Sequence, residues 1–316
     1  MNHIYKKLIK FGLSIFVLTG FVFLTIRYFN GKHLLDNVKE LLQHPFILLF
    51  ICTIYLLSFG LKGFAWKLYL NGRPRFSSCM LGIFYSLFIN HILPVKAGDL
   101  VRIKILSTRD PHIKDEESIH SVIVLRILDM MCLMLLTLAG LVTLNVNYSI
   151  PIPLIGLVSL IFIIVIILVK KYFPAFLERQ MTLLRNAFSG KNGVAIFSLI
   201  FLSWVLEASI LYGTVFIVGQ GDLSLLQAVF ANSVTIAGQI FQVTPGGIAN
   251  YESFLVFALR LCDIPVTDGY TISILTHALK FGFSYGIGAV VFMIYPIPLK
   301  TIKGWMRRVN RNEKRI

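Results

Sequence analysis

The chain is short of acid. Fifteen aspartates and glutamates stand against thirty lysines and arginines in 316 residues, a formal charge of +15, and charged residues of both signs make up only 14%. A soluble domain carries about 25%. That deficit, with 56% hydrophobic residues and a mean hydropathy of +0.78, excludes the soluble class and leaves a polytopic all-α membrane protein. Cysteine is scarce as well. Cys52, Cys79, Cys132 and Cys262 each fall inside an apolar run without CxxC or Cys/His spacing, which excludes a disulfide scaffold and a zinc site and reads as buried thiols. HExxH, a Walker loop and GxSxG are also missing. No catalytic residue, metal or cofactor is therefore expected, and an enzyme is the less favoured class. No small-x-small cleavage site follows the apolar run from Phe11 to Ile26, so an uncleaved first span is expected. The cations are dispersed between apolar runs rather than gathered on one face, which argues against a nucleic-acid partner.

What is present is a set of apolar runs on the ~20-residue scale of a membrane crossing. Continuous spans are expected at about Leu8 to Tyr28, Pro45 to Leu61, Ile119 to Leu144, Leu154 to Val169, Val194 to Val218 and Tyr270 to Tyr295. Two further apolar segments are broken, Ser77 to Leu106 at Pro94 and Val229 to Cys262 at Pro245-Gly246-Gly247. Proline removes a backbone donor and glycine permits positive φ, so each reads as two half-helices meeting inside the membrane.

Cations in short loops mark the cytoplasmic side. Assigning the loops so that 24 of the thirty fall inside makes the first broken segment enter from the cytoplasm and the second from the outside, with both termini cytoplasmic. The expected organisation is an inverted-topology repeat. Residues 1–169 form the first repeat with its hairpin at about 77–106, and 170–193 a cytoplasmic amphipathic loop. Residues 194–299 form the second repeat with its hairpin at about 229–262, and 300–316 a basic tail. Apolar positions in Lys32 to His44 recur at helical spacing, as expected of a surface helix.

Ionisable residues inside spans cost roughly 2.5–3.5 kcal/mol each, so they are functional candidates. Lys96, Asp99, Arg102, Arg126 and Asp129 from the first half, with Glu252, His277 and Lys280 from the second, form the expected substrate-binding set. Pro94, Gly98, Pro245, Gly246 and Gly247 make the breaks. Arg126 and Asp129, three apart, share a helix face. Glu207 lies mid-span with no cation near it in sequence. Half-helix N-termini aimed at the midplane favour an anionic headgroup. Asn90, His91, Gln239 and Gln242 are expected to satisfy backbone groups freed at the breaks, and Gly282, Gly286 and Gly288 to permit close helix packing.

Three stretches carry a resemblance. Pro94-Val95-Lys96-Ala97-Gly98-Asp99-Leu100-Val101-Arg102 resembles P-x-R-x-G-E-x-x-R, Ser121 to Asp129 resembles S-x-x-x-x-R-x-x-D, and Pro245 to Glu252 resembles P-G-G-[LI]-G-x-x-E. All three belong to the lysylphosphatidylglycerol synthase transmembrane family, in the same order over nearly the whole chain. The departures are Lys96 for arginine, Asp99 for glutamate and Ala249 for glycine; alanine there implies a backbone with no need of positive φ. The resemblance implies a bacterial inner-membrane protein of flippase type that moves a membrane phospholipid such as lysyl-phosphatidylglycerol between leaflets and confers resistance to cationic peptides. Members that synthesise that lipid carry a soluble lysyl-transfer domain, for which the residues after Tyr295 have no counterpart. A role in lipid synthesis beside a separately encoded lipid-modifying enzyme is the alternative the resemblance leaves.

Overall fold

The computed structural model describes residues 18–93, 97–144, 192–219, 221–239 and 244–298, with residue 301 and isolated positions between 174 and 185. The described residues are helical, without strands. In chain order the helices are α1 Leu18–Tyr28, α2 Gly31–Gln43, α3 Pro45–Tyr69, α4 Phe76–Ile92, α5 Gly98–Arg109, α6 Asp115–Thr143, α7 Gly193–Glu207, α8 Ser209–Val218, α9 Leu225–Gly238, α10 Asn250–Leu261 and α11 Val266–Ile294. A 3-10 turn, Pro245–Gly247, precedes α10. The expected span Leu154 to Val169, the cytoplasmic loop that follows it and the basic tail lie outside the described residues, as do Pro94 and Lys96.

Among the described residues four segments are long and apolar enough to cross a membrane: α3, α6, α7 with α8, and α11. Three begin or end beyond the apolar runs that announce them. α3 continues past Leu61 through Lys62 and Lys67, because nothing stops it before Asn71 and Gly72, both at positive φ. α6 starts at Asp115, with Asp115, Glu116 and Glu117 in its first turn, where the helix dipole favours negative charge. α11 likewise starts at Val266 with Asp268 in its first turn. The α7–α8 segment is interrupted at Ala208, whose N–H bonds back only three residues, to Val205.

Both broken segments are helix hairpins. Their arms hold 17 and 12 residues in α4 and α5, and 14 and 12 in α9 and α10. At 1.5 Å per residue the arms run roughly 18–25 Å, short of the ~30 Å hydrocarbon core. The second hairpin begins at Leu225 rather than Val229, because Ser224 and Gln227 form a capping box that fixes the start of α9. α2 is capped by the Asn30 side chain and packs Leu34, Val38 and Leu41 toward Ile217 and Leu275, leaving Leu35 and Leu42 exposed.

The packing is reciprocal. α4, from the first hairpin, lies on α11, the long helix after the second hairpin, while α9, from the second, lies on α6, the long helix after the first. α3 and α7, which precede the two hairpins among the described helices, pack on each other. The main core gathers Trp66, Leu128, Leu133, Ile200, Phe230 and Tyr251 where these pairs meet.

Candidate functional site

The two breaks are built differently and close in similar ways. In the first, Asn90 near the end of α4 accepts the N–H of Gly98 through Oδ1 at 2.9 Å. Gly98 is the opening residue of α5, not the break itself, and it is glycine because a Cβ there would run into the backbone carbonyl of Ser86. In the second, Asn250 Nδ2 donates to the Gly238 carbonyl at 3.3 Å. Gly246, Gly247 and Ala249 stand at φ 64, 78 and 72. The expectation that alanine marks an ordinary backbone at 249 is thus wrong. The turn requires positive φ there, and a fully buried alanine accepts it. The breaks are adjacent: a Cβ on Gly246 would stand 3.1 Å from the carbonyl oxygen of His91 on α4.

Each returning half-helix carries an acid in its first turn, Asp99 in α5 and Glu252 in α10. The half-helix dipoles therefore already face carboxylates of the chain itself. Each acid meets a base on the next long helix. Arg126 Nε and Nη2 donate to Asp99 Oδ2 and Oδ1 at 3.0 and 2.8 Å, and His277 Nδ1 lies 2.6 Å from Glu252 Oε1. Arg126 and His277 are both the twelfth residue of their helices, counted from Asp115 and Val266. Three residues further on the two helices carry groups of different sign, Asp129 on α6 and Lys280 on α11. Asp129 lies 3.6 Å from Arg126 and accepts from Trp204 Nε1 at 2.9 Å. Asp99 is therefore the better partner of Arg126, which the i, i+3 spacing alone does not reveal.

A third cluster bridges the halves. Lys62 donates to Glu207 Oε2 at 2.8 Å and sits 3.3 Å from the Trp204 ring centroid. Lys280 donates to Asn232 Oδ1 at 2.9 Å and lies 3.8 Å from Glu207 Oε1. Glu207 has two cations beside it in space, although it has none in sequence. Neither Lys62 nor Glu207 belongs to the expected binding set. Lys62 follows an apolar run and so counts as a loop cation on a topology reading, but it is inside α3 and only 15% of its side chain is exposed.

These clusters surround one cavity of about 180 Å³. Its walls include Lys62, Arg102, Arg126, Asp129, Glu207, His277 and Lys280, together with Gly246 from the second break and Asn90 and His91 from the first. Asp99 and Glu252 stand behind Arg126 and His277. Arg102 differs from the other cations. It is 6% exposed, its guanidinium lies 4.1 Å from the Trp66 ring centroid, it forms no ion pair among the described residues, and its Nε has no hydrogen-bond partner. Trp66 itself is anchored by its Nε1 on Ser121 at 2.8 Å. A guanidinium so placed presents a fork of donors to an anion.

Of the other expected contacts, His91 donates through Nδ1 to Leu87 in its own helix at 2.8 Å, and Gln239 lines the cavity while Gln242 is outside the described residues. Gly288 does permit close packing, against Phe88, whereas Gly282 and Gly286 have nothing within 4 Å of an added Cβ.

Residues 9–288 match the family described as "Lysylphosphatidylglycerol synthase TM region". A UPF0104 membrane protein of Methanocaldococcus jannaschii is 23% identical to the chain over 227 residues, covering 66% of this chain and 94% of that protein. No solved structure matches the chain.

Proposed function

The chain belongs to the lysylphosphatidylglycerol synthase transmembrane-region family of multi-pass membrane proteins, and from that premise we propose that it is a flippase-type lipid translocator of a bacterial inner membrane. Its substrate class is an anionic or aminoacylated phospholipid. The carrying observation is the buried, unpaired Arg102 in a charged cavity between two helix breaks. A lipid crossing the bilayer must take its phosphate through hydrocarbon, where an unneutralised charge costs at least roughly 2.5 kcal/mol. Arg102 offers that phosphate a bidentate partner without first breaking an ion pair. The three other charged clusters, Asp99 with Arg126, Glu252 with His277, and Glu207 with Lys62 and Lys280, are tied among themselves and hold the walls in place. At about 180 Å³ the cavity is smaller than the roughly 300–1,000 Å³ of a drug-sized pocket, which suits a headgroup whose acyl chains stay in lipid.

In this reading residues 1–169 and 194–299 are two repeats of opposite orientation, and rocking of one against the other exposes the cavity to each leaflet in turn. The reciprocal packing of α4 on α11 and α9 on α6 supports that division. The test is leaflet-resolved movement of labelled phosphatidylglycerol in vesicles containing the purified protein. The wild type is expected to equilibrate the label, and Arg102→Ala to slow it about tenfold, the equivalent of about 1.4 kcal/mol, while eluting and melting like the wild type. Equal rates for the two proteins remove Arg102 from the site. No movement above empty vesicles removes the translocator reading.

A further inference from the structure

We propose that the His277–Glu252 pair is a proton site and that a proton crosses with each anionic headgroup, in the same direction. This rests on the translocator reading above. The carbonyl of Gly246 can only accept, so His277 Nε2, 3.2 Å away, carries a hydrogen. Nδ1 faces Glu252 Oε1 at 2.6 Å, so a second proton lies between the pair. With both protons the pair is neutral overall, whether written as imidazolium and carboxylate or as imidazole and carboxylic acid.

Removing one proton has two consequences. It leaves a net negative charge on a pair that is 3% and 5% exposed, with Glu252 Oε2 already lacking a hydrogen-bond partner. It also leaves one N–H to serve two acceptors, so His277 must give up either Glu252 or Gly246. Gly246 stands at φ 64 in the turn that joins α9 to α10. The proton therefore decides whether α11 holds Glu252 and the turn of the second hairpin at the same time. Gly246 and His277 both line the cavity, so the headgroup meets the same turn.

The corresponding pair in the first half lacks this property. Arg126 does not deprotonate in proteins, so the Asp99–Arg126 tie is constant, while an imidazole can take up or release a proton. One hairpin is fixed and the other switchable.

The groups facing the pair set the direction of coupling. His277 is stacked on Tyr251 at 4.2 Å, and Phe281 lies between its ring and that of His91 on α4. Glu207 on α7 and Tyr55 on α3 line the same cavity. Lys280, one turn along α11, and Lys62 on α3 together bring two positive charges to the single carboxylate of Glu207. That excess, with Arg102 beyond it, opposes a further positive charge. An anionic headgroup cancels it and favours proton uptake. Proton and lipid thus load together, the proton binding from one aqueous phase and leaving to the other with only N–H or O–H bonds made and broken. For a lipid of single negative charge the cycle is electroneutral.

The experiment follows labelled phosphatidylglycerol leaving the inner leaflet of vesicles with the lumen made more acidic, equal or more alkaline than the medium, with a trapped dye reading lumen pH. Movement is expected to be several-fold faster with the acidic lumen than with the alkaline one, bounded by about tenfold bias per pH unit at equilibrium, and the lumen is expected to alkalinise as lipid leaves. In His277→Arg, which gives the second pair the character of the first, the ratio between the two gradients is expected to fall to about one. Lipid movement that ignores the gradient in the wild type overturns the coupling and leaves the translocator reading standing. An undiminished ratio in His277→Arg overturns the assignment to this pair, and no lipid movement under any gradient overturns both.

Discussion

Glu207 holds together more than its place in the sequence suggests. Its carboxylate faces Lys62 at 2.8 Å and Lys280 at 3.8 Å, all three largely buried. Replacing it by glutamine leaves two cations against no carboxylate, and an uncompensated ion at membrane depth costs roughly 2.5–3.5 kcal/mol. Glu207→Gln is accordingly expected to destabilise the protein by about that amount, measured by denaturant titration in detergent micelles. Lys62→Met with Glu207→Gln is expected to cost less than Glu207→Gln alone, because one stranded charge goes with its partner. A double variant no more stable than the single one shows that Lys62 does not depend on Glu207. The carboxylate was visible in the sequence as a mid-span charge, but its partners were not. Lys62 comes from a helix 145 positions earlier, and only the packing of α3 on α7 brings the two together. Ala249 misled for a different reason: a buried methyl adds about 0.8 kcal/mol, enough to offset much of the strain of positive φ, so residue type did not report the backbone.

The hairpins were legible as elements because proline and paired glycines interrupt apolar runs too short to cross. What the sequence did not separate was why each glycine is there. Gly98 faces the Ser86 backbone carbonyl and Gly288 the Phe88 ring, while Gly282 has open space around it. A backbone obstacle cannot step aside, and a ring on a flexible side chain can. Alanine substitutions are therefore expected to rank Gly98→Ala as the most destabilising, by more than about 2 kcal/mol as overpacking costs go. Gly288→Ala is expected to be milder, and Gly282→Ala neutral or stabilising, since alanine is favoured over glycine in a helix by roughly 0.8–1 kcal/mol. Melting temperatures of the three purified variants check the order. If Gly98→Ala melts with the wild type, α4 and α5 are not in the contact described.

At the scale of the whole molecule, the described residues of the two halves follow one plan with two changes of chemistry, His277 in the place of Arg126 and Lys280 in the place of Asp129. Each has a half-helix with an acid in its first turn, a base at the twelfth position of the next long helix and an ionisable group three residues later, Asp129 in the first half and Lys280 in the second. Positions 99, 126, 129, 252, 277 and 280 stood out as intramembrane charges. Their correspondence did not, because Arg126–Asp129 and His277–Lys280 share no residue type, and only the helix starts at Asp115 and Val266 put them in register. If the two halves rock about the cavity, its lining must meet water from both sides in turn. Met130 on α6 and Ile236 on α9 line it from helices that pack on each other across the halves. Met130→Cys and Ile236→Cys are each expected to react with a membrane-impermeant maleimide from both faces of sealed vesicles. Native Cys52, Cys79, Cys132 and Cys262 serve as the background, the last three being buried. Added anionic lipid is expected to shift the ratio of labelling between the faces. Labelling confined to one face under every condition means a cavity that never changes sides, and a translocator with a single fixed opening cannot deliver its lipid to the other leaflet.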